Sequence, residues 1–582
     1  MKRLSLSIPL LALWISAVSA RAAVSFSPNT EPSSGVDIRI SSWVESMPHS
    51  GLVPLTVSIR NGSPAAQTWV LVTHNGGMTS TTDLEVPAGR AGEWKVFAPI
   101  LAQSDMSVFS GELSFILSGH GVRNSSAGSL TMTAGYGSNR TEYIGMGKKL
   151  AAKGWSALKA KLSAGGTGSS ATELDGSELD MAQAPDDWRG YSCLAQLWME
   201  ESEWQAMSAA ARAAMLDWVA LGGRVFVLAT DASAAHAQQL GLATNGSTTR
   251  PHGAGALRLE AWDGKALPLE RMVTVIQDAP KDSLRRHAGS YDKKWALHDV
   301  VGPLTLNSAL IFSFIVIFGV LVGPVNLFWL APAGQRQRMF WTTPLLSLAG
   351  SALLVGVMVL QDGVGGSGAR LVLAILEPEQ KRIAVMQEQV SKTGVLLGRS
   401  FPIAEPGWMQ QIELKGSGVF SPLRNNLHAF RETPTTRSGE WFTSRAVQGH
   451  LLTTVRPSRA TIEVFPAAAP AQPPTVLSSF ETPLKKLFLV DANNTVWTAE
   501  DVGTGEKKAT KPATHAQLEA WLNAGPKKLA GPTLSTALQR LGEQRECVFA
   551  EAAEASKLAV ATLPSIRWNQ DHALIAGPYV RR

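Results

Sequence analysis

Two apolar stretches decide the architecture of this chain: PLTLNSALIFSFIVIFGVLVGPVNLFWLAP at residues 303–332 and MFWTTPLLSLAGSALLVGVMVLQ at residues 339–361. Neither contains Asp, Glu, Lys or Arg, and each can hold the roughly 20 apolar residues that cross a hydrocarbon core of about 30 Å. Only a short turn with Arg336 and Arg338 separates them. The sequence therefore predicts a transmembrane hairpin of two helices, with both flanking parts of the chain on one face of the membrane.

The side of the membrane is predicted from the amino terminus. Lys2 and Arg3 precede an apolar run at residues 4–18, and small residues follow it. This is the pattern of a cleavable secretory signal, so residues 1–23 are expected to be removed during export. We therefore expect a protein of the inner membrane with two spans and with both large flanking parts extracytoplasmic.

The charges beside the spans give two opposing signals. Arg336 and Arg338 place the hairpin turn in the cytoplasm under the positive-inside rule. The segment 276–302, however, carries four basic residues within 285–294, beside the first span. We interpret it as a juxtamembrane patch that faces lipid headgroups, because long exported domains translocate largely regardless of charge. A solvated linker is the alternative interpretation.

Composition limits the classes of partner. A chain of 582 residues is too long for a single core and suggests about three or four domains. Its net charge of +6 is spread without a long basic block, so we expect no nucleic-acid partner. The two cysteines, Cys193 and Cys547, lie on either side of the spans. A disulfide between them stays open, because exported proteins can oxidise their thiols.

Residues 24–136 show the period-two alternation of half-buried strands. Val57 and Ile59 alternate with polar residues before Asn61-Gly62, which is a strong turn signal. Similar short runs follow at regular spacing. The region is predicted to be an antiparallel β-sandwich, an architecture that exported proteins use as a spacer or a binding module.

Residues 139–275 change to an alternation of strands and helices. An apolar run at 193–199 leads into a helix that a Gly-Gly pair ends, and the run 224–229 resumes as an apolar strand. A further amphipathic helix is predicted over 147–162. This order favours an open α/β sheet with parallel strands and a right-handed crossover.

Several short motifs in this region resemble a known family. The motifs are PDDWRGY at 185–191, AMLDWVALGGRV at 214–225, GPVN at 323–326, and Trp341 with Pro344. They are similar to those of bacterial membrane proteins of unknown function that carry a degenerate class I glutamine-amidotransferase-like domain of the flavodoxin-like type. The resemblance covers residues 140 to 365 and implies an architecture rather than an activity.

The chain departs from that family at the catalytic position. Active class I amidotransferases place a nucleophilic Cys on a strained turn between a strand and a helix, with a His and a carboxylate beside it. Cys193 follows Ser192 near the start of a strand, without flanking glycines, and is interpreted as a small buried apolar side chain. The scattered histidines show no metal-binding spacing, so we predict neither a metal nor a cofactor.

Three acidic residues are the candidate ligand-binding site. Glu200, Glu201 and Asp231 follow the two predicted α/β strands, and open sheets bind ligands at the carboxyl ends of their strands. The alternative is structural: Glu200, Glu201 and Glu203 favour the first turn of the next helix, and Asp231 caps a turn. No catalytic residue is predicted.

The carboxyl-terminal part is predicted to be mostly β. Strand patterns occupy residues 369–465, and a Pro-rich linker is expected at 466–474. Residues 475–582 combine strands with two amphipathic helices and are predicted to be a small α/β region. The overall expectation is a multidomain α+β membrane protein.

These features favour a non-catalytic binding or assembly protein of the bacterial envelope. Its expected partners are membrane lipid and an envelope protein, and a small ligand stays open. Two alternatives remain at this point. One is an extracytoplasmic hydrolase or transferase that uses the acidic residues at the sheet edge, and the other is a subunit of an export complex.

Overall fold

The structure is a computed structural model. It describes residues 24–75, 78–100, 111–123, 125–131, 139–140, 142–164, 172–242, 247–278, 291, 295–303, 308–412, 414, 428–433, 435–466 and 473–582. The predicted signal at 1–23, the basic residues at 285–294 and most of the Pro-rich linker lie outside the described residues.

The amino-terminal region forms antiparallel strands because apolar and polar residues alternate there between turns. Its strands are β1 (Val24–Phe26), β2 (Asp37–Ser42), β3 (Gly51–Arg60), β4 (Gln67–Asn75), β5 (Met78–Val86), β6 (Ala91–Ile100), β7 (Glu112–Ser118) and β8 (Ser125–Thr131). One sheet has the order β1-β2-β3-β6, and β5, β4, β7 and β8 belong to a second sheet. Val57 of the first and Phe115 of the second are buried in one shared apolar core, as in two sheets packed face to face.

A parallel sheet with helices follows. Its elements are β9 (Asn139–Arg140), β10 (Ile144–Gly147), α1 (Lys148–Ala151), α2 (Trp155–Ala164), β11 (Thr172–Glu173), β12 (Gly176–Leu179), β13 (Gln196–Glu200), α3 (Glu201–Ala206), α4 (Ala209–Ala220), β14 (Arg224–Ala229), α5 (Ala234–Gln239), β15 (Thr249–His252), β16 (Gly255–Ala261) and α6 (Leu269–Asp278). The strand order is β12-β10-β13-β14-β16-β15, and only the β15–β16 pair is antiparallel. The five parallel strands thus have the 2-1-3-4-5 order of flavodoxin-like sheets.

Helix α7 (Ala296–Val301) precedes the apolar hairpin. The hairpin consists of α8 (Ser308–Val320), a π-helical segment Leu321–Leu330, a 3₁₀ turn at 336–338 and α9 (Met339–Asp362). Two helices, Phe312–Leu330 and Arg336–Asp362, are long and apolar enough to cross a membrane. The π-helical segment contains Pro324, whose missing N–H disrupts the α-helical hydrogen bonds.

The two long helices pack on each other through small and polar residues. A β-carbon at Gly350 would overlap the ring of Phe318, so the absence of a side chain at this glycine lets the helices approach. The Asn326 amide donates a 2.8 Å hydrogen bond to the hydroxyl of Thr343. The aromatic side chains of Trp329, Phe340 and Trp341 near the hairpin turn are more than four-fifths exposed, as expected for side chains at a membrane interface.

The carboxyl-terminal part contains β17 (Gly366–Glu377), β18 (Arg382–Thr393), β19 (Phe401–Pro402), β20 (Gly407–Ile412), β21 (His428–Glu432), β22 (Thr436–Gly439), β23 (Val447–Pro457), β24 (Ile462–Phe465), β25 (Thr475–Ser478), β26 (Leu484–Val490), β27 (Val496–Val502), β28 (Lys507–Ala509), β29 (Lys511–Ala513), α10 (His515–Ala524), α11 (Pro526–Leu529), α12 (Pro532–Gly542), β30 (Cys547–Ala552), β31 (Ile566–Pro578) and β32 (Val580–Arg581). Nine strands form one sheet in the order β20-β23-β18-β17-β31-β30-β26-β27-β29. A four-stranded sheet has the order β28-β25-β24-β32.

Several sheets cross the ranges predicted from the sequence. The nine-stranded sheet takes strands from both 369–465 and 475–582, and β24 pairs with β25 across the Pro-rich segment. In addition, β21 pairs in parallel with β5, so the second amino-terminal sheet continues as β5-β21-β22-β19. Pairing between strands so distant in the chain leaves no local pattern in the sequence.

Both ends of the hairpin attach to the same end of the nine-stranded sheet. Before the first span, the Lys392 ammonium donates to the carbonyl of Pro303 at 3.0 Å. After the second span, Asp362 forms a 2.6 Å ion pair with Arg445. Since Lys392 and Gly394 are close in sequence and Gly394 packs against the Asp362 backbone, the two spans begin and end at one place. This geometry agrees with a hairpin whose flanking parts share one side.

Candidate functional site

The carboxyl ends of β10 and β13 meet at the position where a sheet of this order binds ligands. These two strands are neighbours, although β12 comes between them in the chain. The connections therefore leave in opposite directions, and a crevice forms between them. Its walls are the residues that follow Gly147, at the end of β10, and Glu200, at the end of β13.

The carboxylate of Glu203 fills this crevice. It accepts hydrogen bonds from the backbone N–H of Lys149 at 2.8 Å and of Glu200 at 3.1 Å. The side chain is buried, and a β-carbon at Gly147 would overlap it. Backbone amides at the start of a helix can bind an anion. Here they bind a carboxylate of the chain itself.

Burial also changes the acidity of this group. It raises the pKa of Glu203 above its ordinary value, although the hydrogen bonds from the amides of Glu200 and Lys149 act in the opposite direction. The sequence prediction treated Glu203 only as a helix-start residue. Its position three residues after Glu200 matches the spacing of a capping box, which the structure shows, but nothing local indicates its reach to β10.

Glu200 points to partners beside the crevice. It forms a 3.1 Å ion pair with Lys153 and accepts a hydrogen bond from the hydroxyl of Ser202. Burial acts to raise the pKa of the Glu200 carboxyl, but these two donors outweigh it and the pKa lies below its usual range. The negative charge of Glu200 is therefore already paired with Lys153 of the same chain.

Glu201 and Asp231 lie around one histidine. Glu201 is 3.1 Å from Nε2 of His236, and this contact with a carboxylate raises the pKa of that imidazole. Asp231 accepts a 2.8 Å hydrogen bond from the backbone N–H of Ser233, which lowers the pKa of its carboxyl. The Ser233 hydroxyl in turn caps α5. The structure therefore brings Glu201 and His236 together, while Asp231 is an exposed turn residue.

Cys193 lies at the opposite end of β13 from these carboxylates. It occupies a turn before Gln196, where the strand begins, so the strand starts three residues later than predicted. The thiol is 2% exposed and contacts the carbonyl of Gly190. Cys547 is also buried, and burial raises the pKa of its thiol to about 12. The two cysteines do not form a disulfide, and neither is placed as a nucleophile at the sheet edge.

The motifs that resemble the amidotransferase-like family have a packing role. The ring of Tyr191 lies 5.3 Å from that of Trp43 in the amino-terminal region and stacks on Trp218 of α4 at 5.9 Å. Its hydroxyl donates to the carbonyl of Pro185 at 2.8 Å. A β-carbon at Gly223 would overlap the Trp218 indole. These residues join the parallel sheet to the amino-terminal strands.

A second buried polar group was missed by the sequence prediction. Glu388 on β18 is fully buried and accepts hydrogen bonds from the Tyr291 hydroxyl at 2.8 Å and from the backbone N–H of Leu534 at 3.2 Å. It also accepts from the N–H of Gly531, the residue that precedes α12. The only signal was a glutamate inside an apolar predicted strand. It connects the segment before the first span to the carboxyl-terminal helix.

Burial raises the pKa of Glu388 to about 7, although its three hydrogen bonds act to lower it. Nearby, the indole N–H of Trp295 donates to the carbonyl of Leu529 at 2.9 Å. Tyr291 and Trp295 thus fix the chain before the hairpin on the carboxyl-terminal domain.

No metal-binding arrangement is found in the part of the chain that the structure describes, since no group of three or more His, Cys, Asp or Glu side chains could hold an ion there.

Comparisons with known proteins give no family. No family model matches the chain, and no curated protein matches it. Among solved structures, it is similar over 33% of its length to 23% of a calcium-binding mutant of Bacteroides uniformis β-glucuronidase 2, with 10% identity and a TM-score of 0.13. It is similar over 41% of its length to 26% of Amycolatopsis orientalis exo-chitosanase CsxA, with 10% identity and a TM-score of 0.15. The chain spans about a quarter of each of these proteins, and at such TM-scores the likeness carries no argument about activity.

Proposed function

We propose that this chain is a membrane-anchored binding or assembly protein of the bacterial envelope and that it is not catalytic. The observation that supports this most directly is the carboxylate of Glu203, which takes the backbone amides that a ligand would need in the sheet crevice. A crevice filled by the chain's own buried side chain favours a structural use of the α/β sheet.

Contacts between the sheets join the amino-terminal strands, the parallel sheet and the carboxyl-terminal part into one unit, which supports a role in binding. The Trp43 indole donates to the carbonyl of Asp180 at 3.1 Å, which links the amino-terminal strands to the parallel sheet. On the other side of the parallel sheet, buried His252 lies 3.0 Å from buried Glu377, and Arg382 pairs with Asp217. A body held together at both junctions can present one continuous surface to an envelope partner, while the hairpin contacts lipid.

The alternative function is an extracytoplasmic hydrolase or transferase, and one observation favours it. Glu201 orients His236 at the sheet edge, and a carboxylate that orients an imidazole is a common general-base arrangement. This alternative requires a reacting group beside His236, whereas the thiol of Cys193 lies at the other end of β13.

Changing Glu200 and Asp231 together to alanine tests the proposal. Because Lys153 and Ser233 are their local partners, we expect the protein to accumulate normally and to complement a deletion strain fully. Glu270→Ala, which removes an exposed carboxylate from α6 of the same domain, is the matched control. Loss of complementation by the double variant alone, at normal protein level, would show that these two carboxylates have a functional role beyond their local partners.

We also propose that both large parts are extracytoplasmic. A reporter fused after Arg582 and one inserted near Gly165 are then both expected to be active on the periplasmic side, because two spans return the chain to its starting face. A reporter inserted between Gln335 and Arg336, in the hairpin turn, is expected to report the cytoplasm. A cytoplasmic signal from either large part would contradict this topology.

A further inference from the structure

The loop that follows β18, at residues 394–400, lies directly against the chain that leaves the second span. In this base loop the N–H of Val395 donates to the carbonyl of Gly363 at 3.0 Å, and the N–H of Gly365 donates to the carbonyl of Val395 at 3.0 Å. Helix α9 ends just before, at Asp362. At about 1.5 Å per residue, its 24 residues extend about 36 Å, slightly more than a hydrocarbon core of about 30 Å. When this helix spans a bilayer, the base loop therefore lies at the level of the lipid headgroups.

The base loop has one apolar side chain packed on the domain and the next one exposed. Leu396 is half-buried and packs against the core that contains Phe401 and Phe442. Its N–H donates to the Ser444 hydroxyl at 3.1 Å, so the backbone of the loop is fixed to the domain. The side chain of Leu397, by contrast, is 85% exposed. Exposed apolar surface costs roughly 25 cal/mol per Å² relative to buried surface, and the fixed backbone keeps Leu397 out of the core.

Other exposed apolar side chains lie close to the same place. Among the described residues outside the hairpin, the large apolar side chains that are more than two-fifths exposed are Ile116, Val300, Val364 and Leu397. Val300 belongs to α7, which precedes the first span, and Val364 pairs with Val395 of the base loop. Single exposed apolar side chains are ordinary, but three of these four lie beside the two ends of the hairpin. Their grouping at the points where the chain enters and leaves a bilayer favours contact with lipid.

Three basic side chains accompany this apolar group. Arg399 is exposed in the base loop, and Arg567 is exposed at the start of β31, beside β17. Lys392, near the end of β18, donates to the carbonyl of Pro303. Within the described ranges none of these three cations forms an ion pair with a carboxylate. Asp299 of α7 is exposed on the same end, but three cations outweigh one carboxylate. Cations that border an exposed apolar surface are typical of a segment that rests on an anionic membrane.

We propose that the base loop is a third membrane contact, which inserts the side chain of Leu397 into the interface of a leaflet that contains anionic phospholipid. Val364 and Val300 are covered by the same lipids, and Arg399 and Lys392 bind headgroup phosphates. This inference rests on the membrane anchoring in the proposed function. It adds a fixed orientation, because a contact beside the two spans limits the tilt of the nine-stranded sheet on the bilayer.

The experiment places an environment-sensitive fluorophore on the full-length protein in nanodiscs that contain phosphatidylcholine and phosphatidylglycerol. The label is attached at Leu397→Cys, and the wild type is the labelling blank because both native thiols are buried. Lipids that carry a nitroxide just below the headgroup are expected to quench most of the fluorescence at 397. Glu379→Cys is the matched control. It lies in the turn at the far end of β18, whose 12 residues place it about 40 Å away, so its label should keep its fluorescence.

A label at Leu345→Cys separates this inference from the proposed function. Leu345 lies on the second span and is 69% exposed, so lipid quenches its label if the hairpin crosses the bilayer. Unquenched labels at both 345 and 397 would contradict the membrane anchoring itself. Quenching at 345 without quenching at 397 would overturn only the contact of the base loop. A label at 397 whose emission shifts to the blue without quenching would mean that protein covers the loop, and it would overturn the inference as well.

Arg399→Gln tests the contribution of charge. Quenching at 397 is expected to be greater with phosphatidylglycerol than in pure phosphatidylcholine, because an anionic surface attracts nearby cations. Arg399→Gln is expected to remove most of this difference. Arg250→Gln, which removes an arginine paired with Glu379 at the far end of the sheet, is the matched control and should leave the difference unchanged. Equal quenching in the two lipid compositions would overturn the binding of headgroups by these cations.

Discussion

Replacing Glu388 with alanine is expected to lower the free energy of unfolding of the carboxyl-terminal domain by about 3 kcal/mol or more. The carboxylate accepts hydrogen bonds from Tyr291, from Leu534 and from the residue before α12. Its removal leaves two buried amides without an acceptor and leaves the Tyr291 hydroxyl only its 3.1 Å hydrogen bond to the Thr533 hydroxyl. It also leaves a cavity where the side chain was. Each of these effects is destabilising.

The same group predicts a dependence of stability on pH. Burial raises the pKa of Glu388 from 4.5 to about 7. The folded state therefore holds the proton more tightly than the unfolded chain, and the contribution of Glu388 is fully present below about pH 4.5 and is lost as the pH rises through about 7. The difference between these two pKa values corresponds to a change of roughly 3 kcal/mol in the free energy of unfolding.

Denaturant midpoints and hydrogen exchange of the amides at 531 and 534 would measure both effects. The difference in the free energy of unfolding between the wild type and Glu388→Gln isolates the contribution of this carboxyl, because glutamine keeps the shape and does not titrate. This difference should fall as the pH rises from 4.5 to 7. Glu379→Gln, at an exposed ion pair with Arg250, is the control and should follow the wild type. A wild-type curve that rises with pH relative to Glu388→Gln would contradict the prediction.

Local pattern in the sequence predicted individual elements well. The strand at 224–229 has the predicted bounds, and the two apolar helices occur where length and hydropathy placed them. The assembly of the sheets was not predicted. Pairing of β21 with β5 depends on complementary edges brought together by the whole fold, and neither strand carries a local mark of its distant partner.

The sequence predicted where the three acidic side chains lie along the strands but not what they contact. The carboxyl ends of β13 and β14 do carry Glu200, Glu201 and Asp231, and Glu201 does meet a histidine. What the sequence did not show is that Glu203 reaches across to the amides after β10. A carboxylate that caps its own helix and one that fills a neighbouring crevice have the same spacing, so only the packing of two strands distinguishes them.

Gly51→Ala is expected to separate the amino-terminal strands from the parallel sheet. Gly51 has a φ of +100°, and a β-carbon there would lie 2.6 Å from the carbonyl oxygen of Ser192 and 2.7 Å from the Cα of Cys193. Neither atom belongs to a flexible side chain, so the backbone must move. The move would also break the 2.9 Å hydrogen bond from the N–H of Leu52 to the Ser192 hydroxyl. We expect a loss of about 4 kcal/mol from strain and overpacking together.

Gly89→Ala separates the steric effect from the backbone effect. Gly89 also has a positive φ, +64°, but a β-carbon there would meet no atom within 4 Å. Its replacement should therefore cost only about 1 kcal/mol, from the left-handed backbone alone.

Thiol labelling measures the opening of this junction directly, because Cys193 is 2% exposed and lies against Gly51. Cys193 should react quickly in Gly51→Ala and slowly in Gly89→Ala, while Cys547 stays protected in both. Equal labelling of Cys193 in the two variants would mean that the close approach at Gly51 does not hold the junction together.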